Sequence, residues 1–203
     1  MARRRNNPYA RPDARTRAAK ARGYPARSVF KLREIDERVS LFRPGQRVLD
    51  LGAAPGSWTL YASERVGARG RVLAVDLQRL PPDTALPPNV EFLQADALSL
   101  AESALAAHAP YDVVLSDMAP STSGSKASDQ ARSFELFARA LEVAGALGRP
   151  GSSFVGKLFM SGDFPEARRR LAEGYEKNVV VRPAATRSQS SEVFLVGLRQ
   201  RGR

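Results

Sequence analysis

Cysteine is absent from this 203-residue chain, and histidine occurs once, as His108. The first absence excludes disulfides, thiolate nucleophiles and Cys-ligated zinc or iron–sulfur centres. The second excludes any site that needs two imidazoles, so no metal centre is expected. Aromatic residues make up 7% of the chain, with a single Trp, so stacking surfaces are few. No apolar run approaches the roughly 18 residues of a membrane span. None follows the Met-Ala-Arg-Arg-Arg start, which sets aside a secretory signal. A cytoplasmic protein that engages no membrane is expected. No exposed apolar stripe asks for a second copy, so a monomer is the default reading.

Acidic residues are sparse where basic ones abound. The chain carries 32 Lys and Arg against 21 Asp and Glu, a net charge of +11. Residues 1–47 hold 14 basic and 4 acidic residues, a net of +10, whereas residues 48–203 hold 18 and 17, a net of +1. Arg far outnumbers Lys in that lead-in, and Arg forks match phosphate oxygens. Charge concentrated this way is the footprint of a polyanion binder, nucleic acid above all. A solubilising tail is the competing reading. Residues 1–26, with Pro8, Pro12 and Pro25 and few large apolar side chains, are expected to form a basic flexible arm ahead of a single domain at 27–203.

From Ser28 onward Leu32, Ile35 and Val39 recur at helical spacing, and Pro44-Gly45 breaks the chain. Strands then alternate with helices. Arg47–Leu51, Arg71–Asp76, Val90–Gln94, Tyr111–Asp117 and Ser152–Phe159 read as strands. Ser57–Val66, Ala97–His108, Ser128–Leu147 and a stretch from Asp163 to about Tyr175 read as helices. Val179–Arg182 and Glu192–Leu198 are two last strands, joined only by Pro183–Ser191. That connection is short for a parallel crossover, so an antiparallel pair is expected. Strands separated by helices predict an α/β fold: a mostly parallel seven-stranded sheet, an antiparallel last strand, and helices on both faces. This pattern resembles the Rossmann-like fold of class I S-adenosylmethionine (SAM) methyltransferases. Ligands of such sheets bind beyond the carboxyl ends of the parallel strands.

Two candidate groups of residues belong at that edge. The first strand runs into Asp50-Leu51-Gly52-Ala53-Ala54-Pro55-Gly56-Ser57-Trp58, where Gly52, Gly56 and two alanines let backbone approach a ligand. Asp76 ends the second strand, where an acid can accept both hydroxyls of a ribose. Asp96 ends the third, where an acid can receive an adenine amine. NAD is the rival ligand, but the G-x-G-x-x-G spacing is missing, and SAM has no phosphate that needs a cradle. A tight βα turn with helix-capping acids is the plainer alternative. The second group is polar where apolar residues are expected. Asp117 closes the fourth strand, Lys157 interrupts Phe154–Phe159, and Glu192 opens the last strand, which runs the other way and reaches the same edge. Lys31 shares a helix face with Ile35 and Val39. Singly, such lysines snorkel to water and such acids cap helices. Together, alternating cations and anions on one edge are costly to bury without a use.

Five segments then match one family. Arg27-Ser28-Val29-Phe30-Lys31-Leu32, Asp50 through Trp58, Ser116-Asp117-Met118-Ala119-Pro120, Phe154-Val155-Gly156-Lys157 and Ser191-Glu192-Val193 resemble the FtsJ/RrmJ family of SAM-dependent ribosomal RNA 2′-O-ribose methyltransferases. The resemblance spans about residues 24–198. It implies a catalytic tetrad at Lys31, Asp117, Lys157 and Glu192, and SAM contacts at Gly56, Trp58, Asp76, Asp96 and Asp117. It also implies a uridine ribose of the large-subunit rRNA A-loop as substrate, with rRNA or the 50S particle as partner. Ser57 departs from the family, where a second glycine is usual. Gly156 does too, standing where a β-branched residue is common.

A ribose 2′-hydroxyl is a weak acid, and its proton must go somewhere. His108 lies in an expected helix away from the edge. A lysine serves when burial or a second cation favours its uncharged form, and Lys157, with Lys31 nearby, has both prospects. Three rivals remain. A non-catalytic ribosome-assembly factor accounts for the charge but not for Lys157 among Phe154, Val155 and Phe159. A small-molecule O-methyltransferase has no use for the arm. A base-directed enzyme wants an aromatic after the fourth strand, where this chain has Asp117-Met118-Ala119-Pro120. A 2′-O-methyltransferase of another RNA, such as tRNA, also stays open.

Overall fold

The computed structural model describes residues 13–121, 123–187 and 189–202. Helices α1 (Ala14–Ala21) and α2 (Val29–Val39) precede strand β1 (Arg47–Leu51). Helix α3 (Ser57–Val66), strands β2 (Arg71–Asp76) and β3 (Val90–Gln94), and the short α4 (Glu102–Leu105) follow. Strand β4 (Tyr111–Ser116), helix α5 (Lys126–Leu147), strand β5 (Gly148–Phe159), helix α6 (Phe164–Gly174), and strands β6 (Tyr175–Val181) and β7 (Glu192–Gln200) complete the chain. The strands form one sheet in the order β3-β2-β1-β4-β5-β7-β6. The pairs from β3 through β5 are parallel, and β7 runs antiparallel between β5 and β6.

Alternation along the strands sorts the core into two layers. Leu49, Leu51, Leu73, Val75, Val114, Phe154 and Leu158 point to one face, where Phe137, Ala140 and Val143 of α5 and Leu171 of α6 cover them. Val48, Val72, Val113, Leu115, Val155, Phe194 and Val196 point to the other, under Leu32 and Ile35 of α2 and Trp58, Ala62 and Val66 of α3. The central strands are therefore buried on both sides and read as apolar runs. Gly156 belongs to the first face by this count, and a Cβ there would meet Phe154 Cζ at 2.6 Å and Phe137 Cδ2 at 2.8 Å. The two rings, 5.7 Å apart and edge to face, fill the space that a β-branched side chain would need. The glycine is a packing choice of this core.

Several elements differ from the sequence expectation. Residues 14–21, expected to belong to a flexible arm, form α1. Asp13 caps it by accepting from Thr16 N at 2.7 Å, and Ala19 is fully buried. An interface made of alanine leaves no large apolar side chains for periodicity to find. Residues 1–12 of the expected arm lie outside the described residues. The helix expected over Ala97–His108 is only α4 followed by a 3-10 turn at Ala106–His108. Its first residues instead fold back on Asp96, whose carboxylate accepts from Leu98 N at 2.9 Å and whose carbonyl accepts from Leu100 N at 2.9 Å. Such local bonds compete with a helix start. Strand β6 begins at Tyr175, directly after α6, and β5 begins at Gly148, directly after α5. Among the described residues no helix is long and apolar enough to cross a membrane.

Replacing Gly156 by Val should lower stability by about 1–3 kcal/mol through overpacking against Phe137 and Phe154. Urea-unfolding midpoints of the two proteins check this, and an unchanged midpoint would show that the rings yield freely.

Candidate active site

Register brings the charged residues together. Ser116 pairs with Gly156 across β4 and β5, so Asp117 follows β4 beside Lys157. Lys157 pairs with Phe194, and Phe159 with Glu192, across β5 and β7. Opposed residues share a face, and positions two apart along a strand share it too. Asp117, Lys157 and Glu192 therefore all project to the side covered by α2, continuing the rows of Leu115, Val155 and Phe194. Helix α2 supplies Lys31 from above, its Nζ 5.9 Å from the centre of the Phe194 ring. The four residues stand at the edge where β4 and β5 end and β7 begins.

They settle as two ion pairs. Lys157 Nζ lies 3.0 Å from Asp117 Oδ1, with the side chains 8% and 17% exposed. It donates its aligned hydrogen bond to the Asp117 carbonyl, so Oδ1 is buried without an aligned donor. Lys31 Nζ pairs with Glu192 Oε1, the side chains 14% and 11% exposed. Thr186 Oγ1 donates to the same Glu192 oxygen at 3.1 Å. Each charge is held by a partner, as burial this deep requires. Thr186 is a neighbour that sequence reasoning missed, because it lies six residues away in the β6–β7 loop. His108 sits at the opposite end of β4, its Nε2 2.8 Å from Glu91 Oε2.

The glycine turn meets this group directly. A Cβ on Gly52, whose φ is +80°, would strike Met118 N at 2.7 Å. Only glycine lets the loop after β1 pass so close to the loop after β4. Asp76 holds the turn: its Oδ2 accepts from Ala54 N at 2.8 Å and its Oδ1 from Gln78 N at 2.7 Å. Asp96 stands exposed at the end of β3. Gly56 starts α3 with a φ of +104°. Trp58 is placed behind the turn. It is 2% exposed, its indole N–H donates to Ser28 O at 2.9 Å, and its ring lies 5.5 Å from that of Phe194. Ser57 accepts from Ala26 N at 2.7 Å and donates to Ala26 O at 3.1 Å. Both residues tie the turn to the start of α2.

The residues at this edge suit SAM. Asp76, Asp96 and Asp117 are carboxylates ranged along it. Leu77 and Leu98, 67% and 39% exposed, come directly after Asp76 and two residues after Asp96. Large apolar side chains left exposed beside such acids offer walls for a flat base. A further carboxyl lies beneath the turn. Asp50 is fully buried, on the α3 side of β1, and Oδ2 accepts from Thr59 Oγ1 at 2.6 Å. Its Oδ1 has no partner. Burial, and secondarily the charges of Asp117 and Asp76, push its pKa up to about 7 against the Thr59 hydrogen bond.

A mostly parallel sheet of this strand order, with a glycine turn after its first strand and acids ending the next two, defines a Rossmann-like methyltransferase. The comparisons narrow the class. The family model described as FtsJ-like methyltransferase matches residues 24–200. The chain is 64% identical over 195 residues to Ribosomal RNA large subunit methyltransferase E of Sorangium cellulosum, covering 96% of this chain and 91% of that one. It is 46% identical over 197 residues to the protein of the same name in Myxococcus xanthus, covering 96% and 92%. The fold matches a Plasmodium falciparum crystal structure described as a ribosomal RNA methyltransferase, with TM-score 0.76, 22% identity, and 89% and 100% coverage. The chain belongs to the FtsJ-like methyltransferase family.

Asp50 generates a pH test. The folded carboxyl keeps its proton up to about pH 7, while in the unfolded chain it ionises near its ordinary 3.8. Its contribution to stability is therefore fully present below about pH 4 and is lost as the pH rises to about 7. Asp50→Asn keeps an acceptor for Thr59 and cannot ionise. Relative to this variant, the wild-type protein should lose stability between pH 4.5 and 7 and hold level above that. Urea midpoints at three pH values check it, and a pH-independent difference would refute it.

Proposed function

We propose that this chain uses SAM to methylate the 2′-oxygen of a uridine ribose in the A-loop of large-subunit ribosomal RNA, acting as a cytoplasmic monomer on the 50S particle. The carrying observation is the pair of lysine–carboxylate contacts on one sheet face, Lys157 with Asp117 and Lys31 with Glu192. A base-directed enzyme needs an aromatic to stack a flipped base, and residues 118–120 supply none. The names of the Sorangium and Myxococcus relatives support the RNA and the subunit.

When bound, SAM supplies a methyl carbon made electrophilic by its sulfonium. Asp76 and Asp96 hold the nucleoside part, with Leu77 and Leu98 against the base. Gly52 and Gly56 let the backbone close on the ligand, and Asp117 holds its cationic end. The acceptor ribose lies over Lys157, whose Nζ first yields a proton to solvent and then takes the 2′-hydroxyl proton. Asp117 and its carbonyl then stabilise the ammonium that forms. Lys31, fixed by Glu192 and lying over Phe194, keeps a second positive charge beside the developing oxyanion. Thr186 holds Glu192 in place. Trp58 and Ser57 act at one remove, locking the glycine turn to α2. Positioning supplies much of the rate, because the methyl donor is already reactive. General-base assistance adds about 10²–10⁴-fold.

Lys157→Ala should therefore cost at least about 10²-fold in turnover and leave SAM affinity intact, and Glu192→Ala should cost less. The deciding measurement is transfer of labelled methyl from SAM to 50S subunits that lack ribose methylation, followed by nuclease mapping. Label on one ribose 2′-oxygen, lost in Lys157→Ala, is the expected result. Full turnover in that variant would remove Lys157 as the proton acceptor. Label on a base, or on no RNA at all, would overturn the reading.

A further inference from the structure

Helix α1 takes no part in the chemistry above, yet it is docked beside it. Asp13, its cap, pairs with Arg27 Nη1, and Arg27 Nη2 donates to the Ala185 carbonyl. Ala185 adjoins Thr186, which holds Glu192. The helix is thus latched to the loop that leads into the catalytic pair. Its exposed surface carries Arg15, Arg17 and Lys20, with Arg22 at its end, and the helix contains no acid.

Two depressions meet at this latch. One, of about 490 Å³, runs between α1, α2 and the β6–β7 loop and includes Arg15, Ala18, Arg22, Phe30, Ala184 and Ala185. The other, of about 480 Å³, includes Arg27, Lys31, Ala185, Arg187, Gln189 and Glu192. Ala185 belongs to both, so the two depressions adjoin at the latch, and the second reaches the Lys31–Glu192 pair. The acids along it are engaged. Asp13 is paired with Arg27, and Glu34 takes Arg38 and the Ala184 N–H. Arg22 lies 5.6 Å over the Phe30 ring, with its guanidinium near the groove. Alanines at 14, 18 and 184 leave the floor low enough for a backbone to approach.

We infer that α1 is a docked RNA-gripping helix: phosphates of the acceptor RNA lie along its Arg15 and Arg22 side and pass over the Arg27–Ala185 latch to the catalytic pair. Phosphate contacts give affinity and register without reading sequence. A helix fixed at Asp13 and Ala19 gives register, which a loose basic tail cannot. The inference rests on the RNA-methyltransferase reading and adds to it the surface that presents the substrate.

The test compares the wild-type protein with Arg15→Gln/Arg22→Gln, the charge-keeping Arg15→Lys/Arg22→Lys, and Lys177→Gln. Lys177 is an exposed cation on β6, on the far side of β7 from the catalytic strands. Binding of a transcribed large-subunit rRNA fragment and methyl transfer to 50S subunits are both followed against potassium chloride. The Gln pair should weaken fragment binding and raise KM for the subunits about 5–50-fold at ~0.15 M salt. It should also flatten the log–log salt dependence by about 1–2, as loss of two phosphate contacts requires. SAM affinity, kcat at saturating subunits and thermal midpoint should stay within about twofold, and the Lys pair and Lys177→Gln should behave like wild type. Unchanged RNA binding and salt slope in the Gln pair would overturn the inference while leaving the methyl-transfer reading intact. Equal losses in Lys177→Gln would also overturn it, by reducing α1 to general charge. Failure of the wild-type protein to methylate any RNA would instead strike the reading beneath it.

Discussion

Side chains alternate between the two faces of a strand, and in this protein that rule decides where the charge goes. Asp117, Lys157 and Glu192 come from three adjoining strand edges, and the register of β4, β5 and β7 sends all three to the face under α2. A slip of one residue in any of them would carry its charge to the face of Phe137 and Leu171. Burying one such ion alone costs several kcal/mol. The two pairs therefore constrain the sheet as much as the sheet positions them. Phe194 sits at the centre of this arrangement, with Lys31 above its ring and Trp58 against it.

The second constraint ties the glycine turn to helix α2. Helix α3 starts directly after the turn, and its first two residues are bonded to Ala26 and Ser28 at the head of α2. Asp36, further along α2, takes Tyr61 and Arg65 from α3 at 2.9 and 3.0 Å. Lys31 thus lies between two attachments to the helix that follows Gly56. The hydroxyl of Ser57 adds a stitch that a glycine at this position would not make.

The strands themselves were legible, because buried parallel strands print themselves as short apolar runs between helices. The antiparallel ending was legible from the brevity of Pro183–Ser191. Asp117, Lys157 and Glu192 stood out because each interrupts or bounds an apolar run. What escaped notice carried no such contrast. Helix α1 packs through Ala19, and alanine makes no visible stripe. Asp50 reads as part of a glycine motif, and its burial without a partner for Oδ1 emerges only when β4 and α3 close around it. Thr186 looks like any loop threonine until Glu192 is folded back beside it.

Residue chemistry and order along the chain determined the class of fold, the sheet edge that gathers the charged residues, and the identities of the residues that match the family, since hydrophobic periodicity and motif spacing are local properties. Which charge pairs with which was decided by tertiary structure. The sequence leaves Lys31 unplaced, and α2 sets it on Glu192 rather than beside Asp117. The same holds for Trp58, set behind the turn, and for α1, latched through Arg27 to Ala185. These are contacts between segments more than 100 residues apart or on separate elements, and no local pattern encodes the distance that packing closes.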